Sequence, residues 1–349
     1  MAQSFDTLAA YYDHGHDALI DARSPSEYAL DHIPGAINLP VLSDEERARV
    51  GTIHARDSAF SAKKVGAALV ARNIAVHLDG PLSGHDGAWR PLVYCWRGGQ
   101  RSGAFATVLK QVGWRADTIE GGYRAYRRQV VAALYENPLP HRLLVLEGHT
   151  GTGKTELLDI LARRGVQVVD LEGLAAHRGS VFGAVARPQP AQPAFEGALA
   201  RAFCGLDPQR PVLVEAESSK IGNLLIPPSV WKAMRAAPRL RIEAPLEARA
   251  AYLTRAYADI TQDAAGLERV LEGLIRHQGH ERVRHWQELA RAGDVTTLAS
   301  ELMHFHYDPS YLRQGARRTT PLLGTVSASA LDRRALEDVA GQLAELIKD

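Results

Sequence analysis

The segment that most restricts the fold is the loop 148–155, which reads Gly-His-Thr-Gly-Thr-Gly-Lys-Thr. The apolar segment 142–147 before it predicts a buried strand, and 156–162 after it predicts a helix. This order matches the P-loop pattern in full. In such a loop, backbone N–H groups surround a diphosphate, Lys154 reaches the terminal oxygens, and Thr155 holds Mg²⁺ or a phosphate oxygen. The residues expected to bind phosphate are Gly148, Thr150, Gly151, Thr152, Gly153, Lys154 and Thr155.

Acidic residues end the next two predicted strands, 165–170 and 211–215. Because ligands bind at the carboxyl edge of such sheets, the residues that follow these strands are expected to line the same cleft as Lys154. The loop 176–183 has a basic centre. The predicted supporting residues are Asp170, Arg178, Ser180, Glu215, Ser218 and Lys220. A surface ion pair between Glu217 and Lys220 is the alternative interpretation of those two residues.

A second loop, 95–102, carries a potential nucleophile and reads Cys-Trp-Arg-Gly-Gly-Gln-Arg-Ser. It follows a predicted buried strand, 91–94, and leads into a predicted helix from Ser102. Backbone N–H groups and a helix N-terminus lower the pKa of a thiol, and the thiolate is the reactive form. Arg101, with Arg97, would add permanent charge for phosphate-like oxygens. Cys95, Arg97 and Arg101 are thus the predicted catalytic residues, against the alternative of an inert buried cysteine.

Strands and helices alternate through both halves of the chain, which predicts α/β folds with mainly parallel sheets. The prolines of 137–140 mark a linker. We predict an N-terminal parallel-sheet domain at 1–136, a P-loop α/β domain at 141–243 and a helical C-terminal region at 244–349.

Landmarks of the first domain resemble the rhodanese family. They are Asp21-Ala-Arg-Ser-Pro-Ser-Glu-Tyr, His32-Ile-Pro-Gly-Ala-Ile-Asn-Leu-Pro, the Cys95 loop and Glu120-Gly-Gly-Tyr123. The resemblance implies a rhodanese-like fold and a cysteine that carries sulfur or selenium. The loop departs from the usual rhodanese form, because one extra residue lies between Cys95 and Arg101. The wider ring is similar to the phosphate-binding loop of related cysteine phosphatases, and it would suit a bulkier anionic donor.

Composition excludes some classes of function. The net charge of the 349 residues is only +1, so any nucleic-acid binding must come from a local patch. Two cysteines argue for a reducing compartment and against a disulfide framework. We find no secretory signal, no segment suited to spanning a membrane and no histidine spacing typical of a metal site. These observations predict a cytoplasmic protein that binds no membrane and no structural metal.

Basic residues are concentrated in the C-terminal region, between 276 and 291, with one tryptophan among them. Where basic and aromatic residues alternate, the basic side chains can contact the phosphates of a nucleic acid and the aromatic ring can stack on a base. The predicted nucleic-acid contacts are Arg276, Arg282, Arg284 and Trp286. A solvated helix face over a small core around Trp286 is the alternative. A second candidate contact, 305–311 with Arg313, Arg317 and Arg318, has as its alternative a segment that covers the P-loop domain.

The combination of these modules resembles the bacterial tRNA 2-selenouridine synthases. The resemblance rests on the Cys95 and P-loop motifs with Asp170-Leu-Glu-Gly-Leu-Ala-Ala-His-Arg-Gly-Ser180 and Val214-Glu-Ala-Glu-Ser-Ser-Lys-Ile-Gly222. It implies that a wobble 2-thiouridine of tRNA receives a geranyl group from geranyl diphosphate, and that selenium from selenophosphate then replaces the S-geranyl group. Cys95 would carry selenium, and the P-loop would bind the diphosphate. A selenophosphate-producing enzyme is a possible partner.

Two competing functions remain open from the residues alone. One is a rhodanese-family cysteine phosphatase fused to a kinase-like module. The other is a regulatory protein that senses a nucleotide through the P-loop. The sequence leaves the choice of tRNAs, the need for Mg²⁺ and the oligomeric state open.

Overall fold

The structure, a computed structural model, describes residues 1–180, 182–183, 187–257, 263–315 and 319–348. It confirms the α/β class, with parallel sheets in two compact units. The first unit comprises 1–137 and 190–205, and the second comprises 138–189 and 206–349. In the described part of the chain, no helix is both long enough and apolar enough to span a bilayer.

The strands are short and almost all parallel to their neighbours. In chain order they are β1 (Ala2–Gln3), β2 (Ala18–Asp21), β3 (Ile37–Asn38), β4 (Pro91–Tyr94), β5 (Asp117–Ile119), β6 (Leu143–Gly148), β7 (Gln167–Val169), β8 (Val212–Glu215), β9 (Lys220–Ile221), β10 (Leu224–Leu225), β11 (Arg239–Glu243) and β12 (Leu322–Ser327). Among the strands of the described ranges, only the β9–β10 pair is antiparallel.

Helices fill most of the remaining described chain. They are α1 (Leu8–Tyr12), α2 (Pro25–Leu30), α3 (Asp44–Arg56), α4 (Ala59–Asp79), α5 (Gln100–Val112), α6 (Gly122–Val131), α7 (Lys154–Arg163), α8 (Leu171–Ala175), α9 (Gln192–Cys204), α10 (Pro228–Ala236), α11 (Leu246–Ala256), α12 (Ala264–Gly273), α13 (Ile275–Gln278), α14 (His280–Ala292), α15 (Val295–Leu302), α16 (Asp308–Gly315) and α17 (Arg333–Lys348). Two π-helical turns, Ala132–Glu136 and Met303–Tyr307, continue α6 and α15.

The first unit is built on a parallel sheet in the order β1-β5-β4-β2-β3. The central strand β4 is apolar along its length, and Leu92, Val93 and Tyr94 are completely buried. A strand that is buried on both faces requires this continuous apolar run. The chain therefore leaves the middle of the sheet directly into the loop that begins at Cys95.

The second unit has a parallel sheet in the order β12-β11-β6-β8-β7. The P-loop follows the central strand β6 and leads into α7, as the motif predicts. Sequence analysis did not predict β12, which pairs with β11 and extends this sheet from within the C-terminal region. Helix α17 packs its apolar face into the same core as α7 through residues such as Leu336 and Leu343.

Candidate active sites

Cys95 lies at the carboxyl end of β4, at the base of its loop, and only 3% of its surface is exposed. Two glycines let the backbone close around it. Gly98 and Gly122 have φ of +67° and +56°, and a Cβ at Gly122 would lie 2.2 Å from the Cys95 carbonyl oxygen. The Tyr123 N–H donates a 2.9 Å hydrogen bond to that oxygen. The Gly121-Gly122 turn thus holds the back of the loop, a role that the sequence motif alone did not reveal.

The surroundings of Cys95 favour the thiolate. Burial opposes ionisation, but the Ser102 hydroxyl, the backbone N–H groups of Ser102 and Gly99 and the charge of Arg101 together lower the pKa of the Cys95 thiol. The Ser102 hydroxyl donates to Sγ at 3.2 Å. In contrast, burial raises the pKa of Cys204. Cys95 is therefore buried without the raised pKa typical of an inert buried cysteine.

We predict that replacing Ser102 by alanine raises the pKa of the Cys95 thiol by about one unit, because a hydrogen bond to the charged sulfur is lost. The pH dependence of the iodoacetamide reaction at Cys95, followed by mass spectrometry of its peptide, measures this shift. Cys204 in the same digest is the internal control. An unchanged profile for Cys95 would show that Ser102 does not stabilise the thiolate.

The predicted phosphate-binding arginine, Arg101, is held in an ion pair. Its Nη1 donates to Glu27 Oε2 at 2.8 Å, and Arg47 Nε lies 3.0 Å from the same oxygen. Burial alone would raise the pKa of Glu27, but Arg101 holds it below its usual range. An anion in the loop would share Arg101 with Glu27, whereas Arg97 is exposed at the mouth of the loop.

The second site is a cavity of about 620 Å³ above the P-loop. Of the predicted residues, those that line it are Gly148, Thr150, Gly151, Gly153, Lys154, Thr155, Arg178, Ser180 and Ser218. The Lys154 ammonium donates to the Gly148 carbonyl oxygen at 2.9 Å. The P-loop motif therefore forms a polar cavity with its lysine at the wall.

Thr152 and Lys220 do not line this cavity. Thr152 is 1% exposed, and its hydroxyl donates to the His149 carbonyl oxygen at 2.8 Å. Its backbone N–H donates to the same oxygen. Thr152 thus stabilises the conformation of the loop, and its contact with phosphate stays a prediction. Lys220 is exposed on β9, and its supporting role stays a prediction as well.

The two strand-end acids, Asp170 and Glu215, lie behind the cavity rather than in its wall. Asp170 caps α8, since its Oδ1 accepts the Gly173 N–H at 2.7 Å. Glu215 is buried and accepts the Glu172 N–H at 2.7 Å. Burial, together with the charges of Asp170 and Glu172, raises the pKa of Glu215 well above its usual range. These two acids position Glu172, and they do not touch the cavity themselves.

Two acids, Glu172 and Glu217, line the cavity. A position for Glu217 in this cleft was expected from the sequence, whereas Glu172 was not among the predicted site residues. Glu172 Oε2 accepts a 3.1 Å hydrogen bond from the Thr155 hydroxyl. Burial and the neighbouring Glu172 raise the pKa of Glu217 to about 8, while Lys154 opposes this shift. Gly179 packs directly against both acids. A Cβ at this position would lie 2.3 Å from Glu172 Oε1 and 2.5 Å from Glu217 Oε1. The two acids therefore lie close together, and burial beside Glu172 favours the neutral form of Glu217.

The C-terminal region covers the P-loop. Arg249 on α11 donates to the Thr150 carbonyl oxygen at 3.2 Å and pairs with Asp308 at 2.8 Å. Burial opposes ionisation of Asp308, but His149 and Arg249 lower its pKa to about 2. Tyr311 stacks obliquely on His149 at 4.6 Å. The segment 305–311 thus covers the P-loop, as its alternative interpretation predicts; Arg317, Arg318 and the Arg313 side chain lie outside the described residues.

A narrow apolar cavity of about 70 Å³ adjoins the polar one. The two cavities share the lining residues Thr150, Ser180, Leu253, Tyr257 and Tyr307. The remaining lining is almost entirely hydrocarbon and comprises Phe182, Thr254, Leu267, Val295, Leu298, Ala299, Leu302 and Met303. The second unit therefore places an apolar cleft directly beside its phosphate-binding loop.

Trp286 does not have the exposed position that was predicted for a tRNA contact. It is completely buried in a small core, and its Nε1–H donates to Glu301 at 2.9 Å. The Trp286 ring packs against apolar side chains that recur at helical spacing. Because the ring is buried among them, Trp286 cannot stack on a base. Arg276, Arg282 and Arg284 are exposed, and Arg282 lies over the Phe305 ring at 4.3 Å.

Metal binding has little support from side chains alone. Within the described ranges, no group of three or more histidine, cysteine, aspartate or glutamate side chains could hold a metal ion.

Comparisons with known proteins match both units. The model of the tRNA 2-selenouridine synthase AAA domain matches residues 141–291, and that of the rhodanese-like domain matches 4–129. A Salmonella paratyphi A protein named tRNA 2-selenouridine synthase is 32% identical over 360 aligned positions, which cover 94% of each chain. A Bdellovibrio bacteriovorus protein of the same name is 37% identical over 244 residues, 66% of this chain but only 62% of that relative's length. A solved rhodanese-related protein from Thermoplasma volcanium covers 37% of this chain and 91% of its own, with 18% identity and a TM-score of 0.24.

Proposed function

This chain belongs to the tRNA 2-selenouridine synthase family, and from that premise we propose that it converts wobble 2-thiouridine in tRNA to 2-selenouridine through an S-geranyl intermediate. Geranyl diphosphate and selenophosphate are the proposed co-substrates. The observation that carries the geranyl step is the apolar cavity beside the P-loop. A site that binds only phosphate groups does not require an apolar cavity. An isoprenoid diphosphate would place its diphosphate on the P-loop and its hydrocarbon chain in the apolar cavity.

The P-loop would bind the diphosphate and stabilise it as it leaves. The sulfur of 2-thiouridine attacks carbon 1 of the geranyl group, the carbon–oxygen bond breaks, and diphosphate departs with the electron pair. The uridine loses its N3 proton in the same conversion. Lys154 and the backbone N–H groups of the loop would offset the charge that develops on diphosphate. To do so, the Lys154 ammonium must exchange the Gly148 carbonyl oxygen for a phosphate oxygen.

Mg²⁺ fits this site as an optional cofactor. The Thr155 hydroxyl and the Glu172 carboxylate lie 3.1 Å apart and are both hard oxygen donors. Mg²⁺ usually takes one or two protein oxygens, several waters and phosphate oxygens. Thr155 and Glu172 would hold the ion, and the ion would supply further positive charge to the diphosphate.

The apolar cavity gives a direct test of the isoprenoid substrate. We predict that replacing Val295 by phenylalanine raises the KM for geranyl diphosphate roughly tenfold, because the bulkier ring occupies the cleft. Binding of inorganic diphosphate is expected to stay unchanged, since the P-loop is intact. Steady-state geranyl transfer and calorimetric diphosphate binding measure the two effects.

The matched control is Thr297→Phe. Thr297 is exposed on the same helix and does not line the cavity. This variant is expected to retain the wild-type KM. Equal KM values for the wild type and both variants, or equal increases in both variants, would argue against an isoprenoid in this cleft.

Cys95 would carry selenium. Its lowered pKa favours the thiolate, and its loop supplies N–H donors and Arg101 for the phosphate part of selenophosphate. The Cys95 thiolate would attack the selenium of selenophosphate, the selenium–phosphorus bond breaks and the phosphorus leaves as phosphite, so that a perselenide forms on Cys95. The perselenide then attacks carbon 2 of the base, and geranylthiol leaves. A small-molecule thiol reduces the remaining sulfur–selenium bond, which releases 2-selenouridine and leaves Cys95 in a disulfide with that thiol. We propose tRNA as the macromolecular partner, an enzyme that produces selenophosphate as a possible second partner, and the cytoplasm as the location.

The wider loop also favours one competing function, that of a cysteine phosphatase. Phosphatase activity would release phosphate from an aryl phosphate without tRNA. Selenation predicts no such release, because the loop binds the donor for selenium transfer.

A further inference from the structure

We propose that a cavity beside the Cys95 loop binds a nucleotide of single-stranded RNA, with its base on Trp96 and its phosphates on Arg124 and Arg128. This inference deepens the proposed function and rests on it, because it assigns part of the tRNA contact to the rhodanese-like unit. The cavity measures about 520 Å³, within the range of small-ligand sites. The residues that line it are Trp96, Tyr123, Arg124, Arg127, Arg128, Gln129, Val131, Ala132 and Glu136.

Trp96 provides an aromatic platform next to the thiol. It directly follows Cys95, and 39% of its surface is exposed. Its ring stacks on Tyr123 at 5.3 Å with an interplanar angle of 27°. Flat aromatic rings of this kind stack on bases in single-stranded RNA.

The platform is held rigidly from behind. The Tyr123 hydroxyl donates to Asp31 at 2.5 Å, and the Arg23 guanidinium lies 4.0 Å from the centre of the Tyr123 ring. The Arg124 N–H donates to the Trp96 carbonyl oxygen at 3.1 Å, which ties the loop to α6. Trp96 is therefore already positioned for stacking.

Arg124 and Arg128 add positive charge one helical turn apart on α6. Both side chains are exposed, and neither has a carboxylate ion-pair partner among the described residues. Arg127 differs, because it pairs with Glu196. Glu136 contributes one negative charge to the lining, so the cavity stays positive overall. Arginines beside an aromatic ring favour a nucleotide over an acidic peptide, which would use the charge but not the ring.

The experiment measures binding of a fluorescent anticodon stem-loop RNA, with 2-thiouridine at the wobble position, by anisotropy at several salt concentrations. The variants are Trp96→Ala, Trp96→Phe and Arg124→Ala/Arg128→Ala. The control is Arg72→Ala, an exposed arginine on α4 that does not line the cavity. Circular dichroism verifies the fold of each variant.

We expect Trp96→Ala to weaken binding about tenfold and Trp96→Phe to retain most of the affinity, since a phenyl ring still stacks. The double arginine variant should lower the slope of log K against log salt by about 1.4, or about 0.7 for each lost phosphate contact. Arg72→Ala should change neither quantity. Wild-type affinity and slope in the alanine variants would overturn the inference, while the proposed function would still stand if the wild type forms selenouridine. A wild type that forms no selenouridine would instead refute the proposed function.

Discussion

Replacing Cys95 by serine is expected to lower the rate of selenouridine formation at least ~100-fold, while S-geranylation continues at close to the wild-type rate. Serine keeps the shape of the side chain, but its hydroxyl stays protonated under conditions that ionise the thiol. The Ser102 hydroxyl and the loop N–H groups, which lower the pKa of Cys95, cannot bring an alcohol into the same range. Mass spectrometry of nucleosides from treated tRNA measures both products.

Cys204→Ser is the matched control for this substitution. Cys204 is the other free cysteine, and burial raises the pKa of its thiol. This variant is expected to carry out both steps. If Cys95→Ser retained selenation, or lost both steps equally, Cys95 would not be the selenium carrier.

The opposite effect is expected for Lys154→Ala. Loss of the ammonium group should slow geranyl transfer by about 10²- to 10³-fold, the usual cost of removing one donor that stabilises a developing anion. Selenation of tRNA that already carries the S-geranyl group should proceed normally. Single-turnover assays on the two substrates separate these steps.

Lys220→Ala controls for the loss of one lysine. Lys220 is exposed on β9 and does not line the P-loop cavity. Both steps should therefore continue in this variant. Normal geranyl transfer by Lys154→Ala would exclude the P-loop as the diphosphate site.

The local parts of the two sites follow from the sequence because they are short and continuous. A four-residue apolar strand, β4, ends directly before Cys95, and the complete P-loop pattern contains Lys154 at the start of α7. Within such a segment, the residues next to one another in the sequence indicate where a strand ends, where glycines let the chain turn and where the next helix begins. The order of elements also predicts parallel sheets.

Other parts depend on contacts between distant segments. The parallel sheet predicts that the residues after β7 and β8 share one cleft, but the close approach of Glu172 to Glu217 depends on how the side chains pack in the folded sheet. Similarly, Arg249 reaches Asp308 across 59 positions of the chain. Trp286 shows that local composition does not predict burial. The basic residues near it in the sequence suggested an interface, but the apolar residues near it form a core that buries the ring. Pattern alone does not separate these outcomes.

The assignment of one reaction step to each site can be tested by treating one tRNA sample with two variants in sequence, each of which lacks one step. The tRNA is first treated with Cys95→Ser and geranyl diphosphate, purified, and then treated with Lys154→Ala, selenophosphate and a small-molecule thiol. We predict selenouridine in this order and none in the reverse order, because geranylation must come first and each variant retains only one step. Selenouridine in both orders, or in neither, would contradict the assignment of geranyl transfer to the P-loop and selenium transfer to Cys95.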